Sequence, residues 1–349
     1  MPPSATMPPA GTASETTLVT GGAGYIGSHA VLALRDAGRA VAVLDTLATG
    51  FRWAVPADVP FYHGDVADSG LIDRIVSEQG VSAIMHFAGS LLVPESVTKP
   101  LDYYRNNVVA SRNLIESAVR NGIPHFIFSS TAAVYGTPEI VPVSEDARKS
   151  PINPYGNSKL MTETMLADVA AAHPLAHSTL RYFNVAGADP AARSGQSVRN
   201  ATHLIHVAAE AARGLRGEVM VYGTDYDTPD GTGVRDYIHV ADLAAAHVAA
   251  LTWLEAHPGE SFTANCGYSR GFSVLEVLDA VDRVTNLTLK RVIAPRRPGD
   301  PATLVAATDR IRATLDWTPQ YDKLETIVAH ALEWERQLDA RGLRPSSAT

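Results

Sequence analysis

A tyrosine and a lysine four residues apart, Tyr155 and Lys159 in NPYGNSK (153–159), are the residues best placed to do chemistry in this 349-residue sequence. Spacing of i,i+4 puts both on one face of a helix. Asn153 suits the N-cap of that helix and Pro154 its first position. A phenol has a reference pKa of about 10, so a base working near neutrality needs about 4 kcal/mol of help toward ionisation. Nearby positive charge, the Lys159 ammonium first, is the natural source. Thr131, in SSTAAVYG (129–136), follows an apolar run and would hold a reacting oxygen beside Tyr155. Ser129 and Ser130 are alternatives for that task, or satisfy backbone groups instead. Alone, Tyr-x-x-x-Lys is as well explained by an exposed helix face. Its weight comes from what lies upstream.

That upstream feature is TGGAGYIGSHA (20–30). Gly22, Gly24 and Gly27 satisfy a dinucleotide fingerprint, and Gly21, Gly24 and Gly27 satisfy a second register of it. Such glycines allow a tight turn, close backbone approach to a diphosphate and close helix–sheet packing, while the helix N-terminus supplies donors. The loop follows an expected strand and opens an expected helix, and Asp45 ends the next strand, which is the confirming context. A carboxylate there hydrogen-bonds a ribose 2′-OH and repels a 2′-phosphate, so NAD is expected over NADP. A cationic nicotinamide would then be the second charge acting on Tyr155. Asp65 sits after the next strand, where an adenine edge is read. His86, ending a further strand at HFAG (86–89), has no metal-like partner spacing and is expected to be structural.

The elements that must position these groups alternate regularly. Strands are expected at 16–20, 40–45, 82–87, 125–130 and 178–183, and helices at 25–37, 69–79, 103–121 and 154–172. This alternation implies an α/β fold with a doubly wound parallel sheet. After Asn184 the rhythm breaks, and DYDTPDGTG (225–233) is a turn cluster. We therefore expect a Rossmann-like domain over 16–183 and a second, smaller α/β substrate lobe over 184–341, with part of 237–254 packing back on the first domain. Residues 1–15 and 342–349 read as tails, the first without the basic and apolar regions of a signal peptide.

The segments TGGAGYIGSH, YYRNN (103–107), FSSTAAVYG, NPYGNSK, RYFN (181–184), DGTGVRDYIHV (230–240) and RRPGD (296–300) occur in that order. Together they resemble the extended short-chain dehydrogenase/reductase family, and within it the UDP-sugar 4-epimerases, over about residues 17–338. The resemblance implies interconversion of UDP-glucose and UDP-galactose through a transient 4-keto sugar. It implies Thr131, Tyr155 and Lys159 as the catalytic group. Gly21, Gly24, Tyr25, Ile26, Gly27, Asp45, Asp65, Val66, Phe87, Ala88, Asn106, Tyr155, Lys159 and Tyr182 would line the NAD site. Thr131, Tyr155, Asn184, His203, Leu204, Val219, Tyr222, Arg235, Arg297 and Asp300 would hold the UDP-sugar. Arg235 and Arg297 suit a diphosphate because guanidinium donates in bidentate fashion; Arg296 reads as surface charge. Two positions depart from the pattern: Leu91 stands where some epimerases have a cofactor-contacting lysine, and His206 where THLIP is usual. Thr303 aligns with a wall of the sugar pocket that some relatives fill with tyrosine, and Leu304 takes that place if the alignment slips by one.

Related dehydratases place an Asp–Glu pair after the catalytic threonine, since eliminating water needs a further acid and base. Here Ala132 and Ala133 follow Thr131, which favours oxidation and re-reduction without elimination. The alternatives are a UDP-N-acetylhexosamine or UDP-pentose epimerase, a dehydrogenase of the same fold, or an NAD-sensing protein without activity. Hydrophobic residues make up 46% and charged residues 19%, with a formal net charge of −8 and no basic run, which argues against a nucleic-acid partner. No apolar run reaches the ~18 residues of a membrane span. Cys266 is the single cysteine, expected buried and inert, and it fits a reducing cytoplasm. No metal is called for, and the resemblance implies a homodimer through the helices at 103–121 and 154–172.

Overall fold

The β-branched run Thr16–Thr20 forms β1, with every residue buried. The computed structural model describes residues 15–198, 201–297 and 299–344, so most of both expected tails lies outside it. After β1 come α1 (Tyr25–Asp36), β2 (Val41–Asp45), β3 (Phe61–His63), α2 (Ser69–Gln79) and β4 (Val81–His86). The short helices α3 (Val93–Thr98) and α4 (Pro100–Tyr104) lead through a π-helical turn at Arg105–Val109 into α5 (Ala110–Arg120). Then follow β5 (His125–Thr131), α6 (Pro154–Ala172), β6 (Ala176–Tyr182), β7 (Asn184–Ala186), α7 (Leu204–Ala212), β8 (Val219–Tyr222) and β9 (Val234–His239). The last stretch holds α8 (Val240–Ala256), β10 (Phe262–Cys266), β11 (Gly271–Ser273), α9 (Val274–Thr285), β12 (Arg291–Ala294), β13 (Thr303–Leu304), α10 (Asp309–Thr314) and α11 (Leu324–Ala340).

Seven parallel strands make the main sheet in the order β10-β6-β5-β4-β1-β2-β3. Adjacent residues of each strand point to opposite faces, so both faces bury apolar side chains. Leu18, Ile84 and Phe126 pack with Ile72, Leu114 and Leu166 of the helices on one side. Val19, Met85 and Ile127 pack with Val31, Leu34 and Leu251 on the other. The strand order reverses between β1 and β4, the switch point at which doubly wound sheets bind ligands.

Beyond residue 184 the chain contributes to both layers. Strands β11, β9 and β13 with β7, and the pair β12–β8, form two small sheets, around a core shared by α7, α9 and α11. But α8 packs against α1, β5 and β6, and β10 joins the edge of the main sheet beside β6. Cys266 is thus the last residue of a sheet strand. It is fully buried, and burial pushes its thiol pKa well up.

Local signals explain the helix ends that matter for the site. Asn153 caps α6 by accepting from Gly156 N at 2.9 Å, with Pro154 in the first turn. The expected helix over 103–121 is interrupted by the π-helical turn, a feature often found at functional sites. Its extra residue turns Asn107 inward, so that its side chain accepts from Ser90 N at 2.7 Å and donates to Ser90 O at 3.0 Å.

Candidate active site

Helix α1 begins after Gly24 with no side chain closing its cap, leaving its first-turn N–H groups available to an anion. Gly21 has φ +72°, and a Cβ there would lie 2.6 Å from Ala88 N. A Cβ on Gly27 would lie 2.1 Å from Gly21 O. The turn after β1 and the Phe87–Ala88 segment after β4 therefore pass at backbone contact. Asp45 is buried at the end of β2, where its carboxylate accepts from Ala23 N at 2.9 Å and Leu47 N at 2.7 Å. Each oxygen retains acceptor capacity for a ribose hydroxyl. Val66 is buried, while Asp65 is exposed and accepts from Ala67 N at 2.9 Å. Tyr25 ties the cradle to the second lobe by donating to Gly187 O at 2.7 Å, and Ile26 packs on that lobe's core. A turn stripped of Cβ atoms, an open helix N-terminus and a carboxylate ending the next strand fit a dinucleotide. Leu91 is exposed and brings no charge to it.

The hydroxyls at the end of β5 separate by partner. Thr131 Oγ1 accepts from Ala133 N at 3.2 Å, Ser129 is bonded to the Tyr182 hydroxyl, and Ser130 donates to Glu163. Of the three candidates, Thr131 is the one that favours ionisation of Tyr155. Lys159 is buried, donates to Ser129 O at 3.0 Å and lies 4.9 Å from the Phe128 ring centroid. Burial pushes its pKa down to about 8. Tyr155 stands edge-on to Tyr103 with centroids 6.4 Å apart. Burial holds its pKa above the ordinary phenol value, against Thr131, which pulls it down. Burial thus outweighs the effect of Thr131 at Tyr155, while Lys159 Nζ is turned to the Ser129 carbonyl.

Beneath these groups lies a network that sequence reasoning missed. Arg181 and Glu163 form a buried ion pair, with Nη2–Oε2 at 2.6 Å and Nε–Oε1 at 2.9 Å. Arg181 Nη1 also donates to Tyr135 OH at 2.9 Å, and that hydroxyl donates to Asn265 Oδ1 at 2.7 Å. Glu163 lies four residues past Lys159, and Arg181 interrupts an apolar strand; those were the available signals. Asn107, also missed, donates to Ser158 Oγ at 3.0 Å and so locks the Ser90 loop to α6. Its neighbour Asn106 donates to Ser90 Oγ at 2.9 Å. His86 is structural as expected, with Nδ1 2.7 Å from Thr20 Oγ1 and Nε2 2.8 Å from Ser111 Oγ.

On the substrate side, Arg235 on β9 pairs with Asp300, and Arg297 lies 3.9 Å over the Tyr222 ring. Arg296 is engaged with Asp225 at 2.6 Å. Asn184 opens β7, directly after β6 and Tyr182. His203 and Leu204 stand at the start of α7, and burial pushes the His203 imidazole down to about 4. Val219 does not belong with these residues. Strand β8 alternates, with Val219 and Val221 buried in the core and Met220 and Tyr222 partly exposed on the other face. Tyr222 therefore shares its face with Met220. Leu304, the alternative to Thr303 at the sugar-pocket wall, packs on the cluster of Ala132 and Val134 beside Thr131, together with Phe183.

The model of the NAD dependent epimerase/dehydratase family matches residues 17–267. The chain belongs to that family. It is 57% identical over 327 residues to the UDP-glucose 4-epimerase of Azospirillum brasilense, covering 94% of each chain. It superposes on the crystal structure of UDP-glucose 4-epimerase from Brucella ovis in complex with NAD with a TM-score of 0.88. Sequence identity there is 41%, over 91% of this chain and 98% of that one. The UDP-Glc/GlcNAc 4-epimerase of Campylobacter jejuni gives a TM-score of 0.81 at 44% identity, over 93% and 99% of the two chains.

Proposed function

We propose that this chain is an NAD-dependent UDP-glucose 4-epimerase, interconverting UDP-glucose and UDP-galactose. The observation that carries this reading is the Thr131–Tyr155 pair beside Lys159 with no acid or base following it: Ala132 is buried and Ala133 succeeds it. The identity to curated epimerases over nearly the whole chain supports it. The turn from Gly21 to Gly27 with the α1 N-terminus would hold the NAD diphosphate, Asp45 the adenosine ribose and Lys159 the nicotinamide ribose. Bound NAD supplies a reversible hydride acceptor for C4 of the sugar and a positive charge next to Tyr155.

The chain's own residues do the rest. Tyr155 takes the C4 hydroxyl proton as C4 becomes a ketone, and returns it when C4 is reduced on its other face. Thr131, beside Tyr155, orients the reacting oxygen. Arg235 and Arg297 grip the diphosphate, with Asp300 and Tyr222 holding the two guanidinium groups in place, and Asn184, His203 and Leu204 complete the nucleotide-sugar site. Residues 16–183 with α8 and β10 serve the cofactor, and the remainder serves the sugar nucleotide. The test is incubation with UDP-glucose, UDP-N-acetylglucosamine and UDP-xylose, with the epimers resolved. UDP-galactose is the expected product, and its absence refutes the reading.

Leu304 bears on substrate width. A branched aliphatic side chain leaves more room at this wall than an aromatic ring, so N-acetylated hexosamines are expected as additional substrates. Leu304→Tyr should lower kcat/KM for UDP-N-acetylglucosamine at least tenfold more than for UDP-glucose, about the discrimination one pocket group gives. Equal effects on both sugars, measured side by side, would remove Leu304 from that role.

A homodimer is part of this reading. Val97, Leu101, Val109 and Met161 are exposed on the outer side of the helices at 93–120 and 154–172, and a second copy would cover them. Among the described residues no helix is long and apolar enough to cross a membrane, and the lone buried cysteine suits a cytoplasmic enzyme of galactose metabolism.

A further inference from the structure

We propose that His206 is a positioning residue for the nucleotide sugar, acting through Glu335 on the first turn of α7. The proposal rests on reading that turn, with His203 and Leu204, as part of the substrate site.

His206 lies within the first turn of α7 and is buried between two carboxylates. Its Nδ1 is 3.1 Å from Glu335 Oε1 on α11, and its Nε2 is 3.5 Å from Glu210 Oε1 one turn further along α7. Each acid is held on its far side by an arginine: Glu335 Oε2 by Arg344 at 2.8 Å, and Glu210 by Arg216. Glu335 is only 1% exposed, and its Oε1 has no hydrogen-bond partner among the described residues, with His206 Nδ1 its close polar neighbour at 3.1 Å. A buried carboxylate oxygen without a partner is costly, so this oxygen fixes where His206 must sit.

Helix α7 is tied to α11 at both ends, but unequally. Near its C-terminal end Arg213 meets Asp339 at 2.8 Å, with both side chains about a third exposed; such a pair contributes little. The buried His206–Glu335 contact is at the end that carries His203 and Leu204. Next to Glu335, Trp334 Nε1 donates to Gln196 O and Ser197 Oγ, each at 3.2 Å, and so holds the segment preceding α7 as well. His203, His206, Glu335, Gly187 and Tyr25 line one cavity. A shift of α7 against α11 is therefore felt at a substrate residue and a cofactor-side residue together. Binding groups must be held to about half an ångström to work, and His206 supplies that restraint.

The experiment compares His206→Leu, which has no polar atom to face Glu335, with His206→Asn, whose amide nitrogen takes the position of Nδ1 and keeps a donor there. Affinity for UDP is measured by titration calorimetry, alongside KM and kcat for UDP-glucose, NAD content and melting temperature. His206→Leu should weaken UDP binding and raise KM about five- to tenfold, the effect of losing one close polar contact to a charged group. Its kcat and NAD content should stay within twofold of the parent, and His206→Asn should restore affinity. Unchanged UDP affinity in His206→Leu, or loss of kcat and NAD in step with affinity, would overturn the proposal. So would a His206→Asn chain that does not fold, because His206 would then be a core residue and nothing more. Epimerisation of UDP-glucose by the parent tests the underlying reading separately, since the UDP titrations need no turnover.

Discussion

Tyr155→Phe should lower kcat by about 10²–10⁴, the usual worth of a positioned proton-transfer group, while leaving NAD content and UDP-sugar affinity close to the parent's. The phenylalanine ring keeps its edge-on contact with Tyr103, so only the phenolic oxygen is lost. Without it the C4 hydroxyl proton has no acceptor of suitable pKa nearby. Thr131 cannot replace it, since an alkoxide is a far stronger base than neutrality allows to form, and Lys159 donates to the Ser129 carbonyl. Steady-state kinetics with bound nucleotide measured in parallel check this. Turnover near the parent's would remove Tyr155 from the role of base.

The second large effect concerns stability. Glu163→Ala would leave the Arg181 guanidinium, with 4% of its side chain exposed, without its counter-charge. Breaking a buried pair from one side costs about 3–5 kcal/mol, which for a chain of this size lowers Tm by about 4–7 °C. Ser130 would lose its acceptor in the same substitution, and with it the end of β5 that carries Thr131. Removing both charges, as in Glu163→Leu with Arg181→Met, should recover much of the loss, because well-packed apolar replacements of buried pairs are often tolerated. Calorimetric melting of the three chains is the measurement. A single variant melting within 2 °C of the parent would show that the pair does not brace the site.

The parts of this molecule that were legible in the sequence are those set by local rules. The Asn153 cap and Pro154 start α6 where expected, and Tyr155 and Lys159 share its inward face because the helix period dictates it. The glycine turn was legible because the close approach of Gly27 to Gly21 O tolerates no side chain. What stayed hidden depends on how elements meet. Three consecutive hydroxyls at 129–131 look alike until the packing of β5 on α6 and β6 assigns each a partner. Val219 was misplaced, and Thr303 could not be told from Leu304, because a strand shows alternate faces and only the packed core reveals which face is which. The π-helical turn that aims Asn107 at Ser90 has no periodic signature. Nor does the return of β10 to the main sheet, which is separated from β6 by the whole 184–256 excursion.

The central claim is that C4 is oxidised and re-reduced within one binding event, with no net redox change. Its most direct test uses UDP-glucose carrying deuterium at C4, followed to UDP-galactose by mass spectrometry and NMR while absorbance in the reduced nicotinamide band is recorded. The account predicts deuterium retained at C4 of the epimer, none exchanged with solvent, and no stoichiometric release of NADH. Loss of the label from C4 would contradict it, and free NADH accumulating in step with substrate consumed would make the protein a dehydrogenase instead.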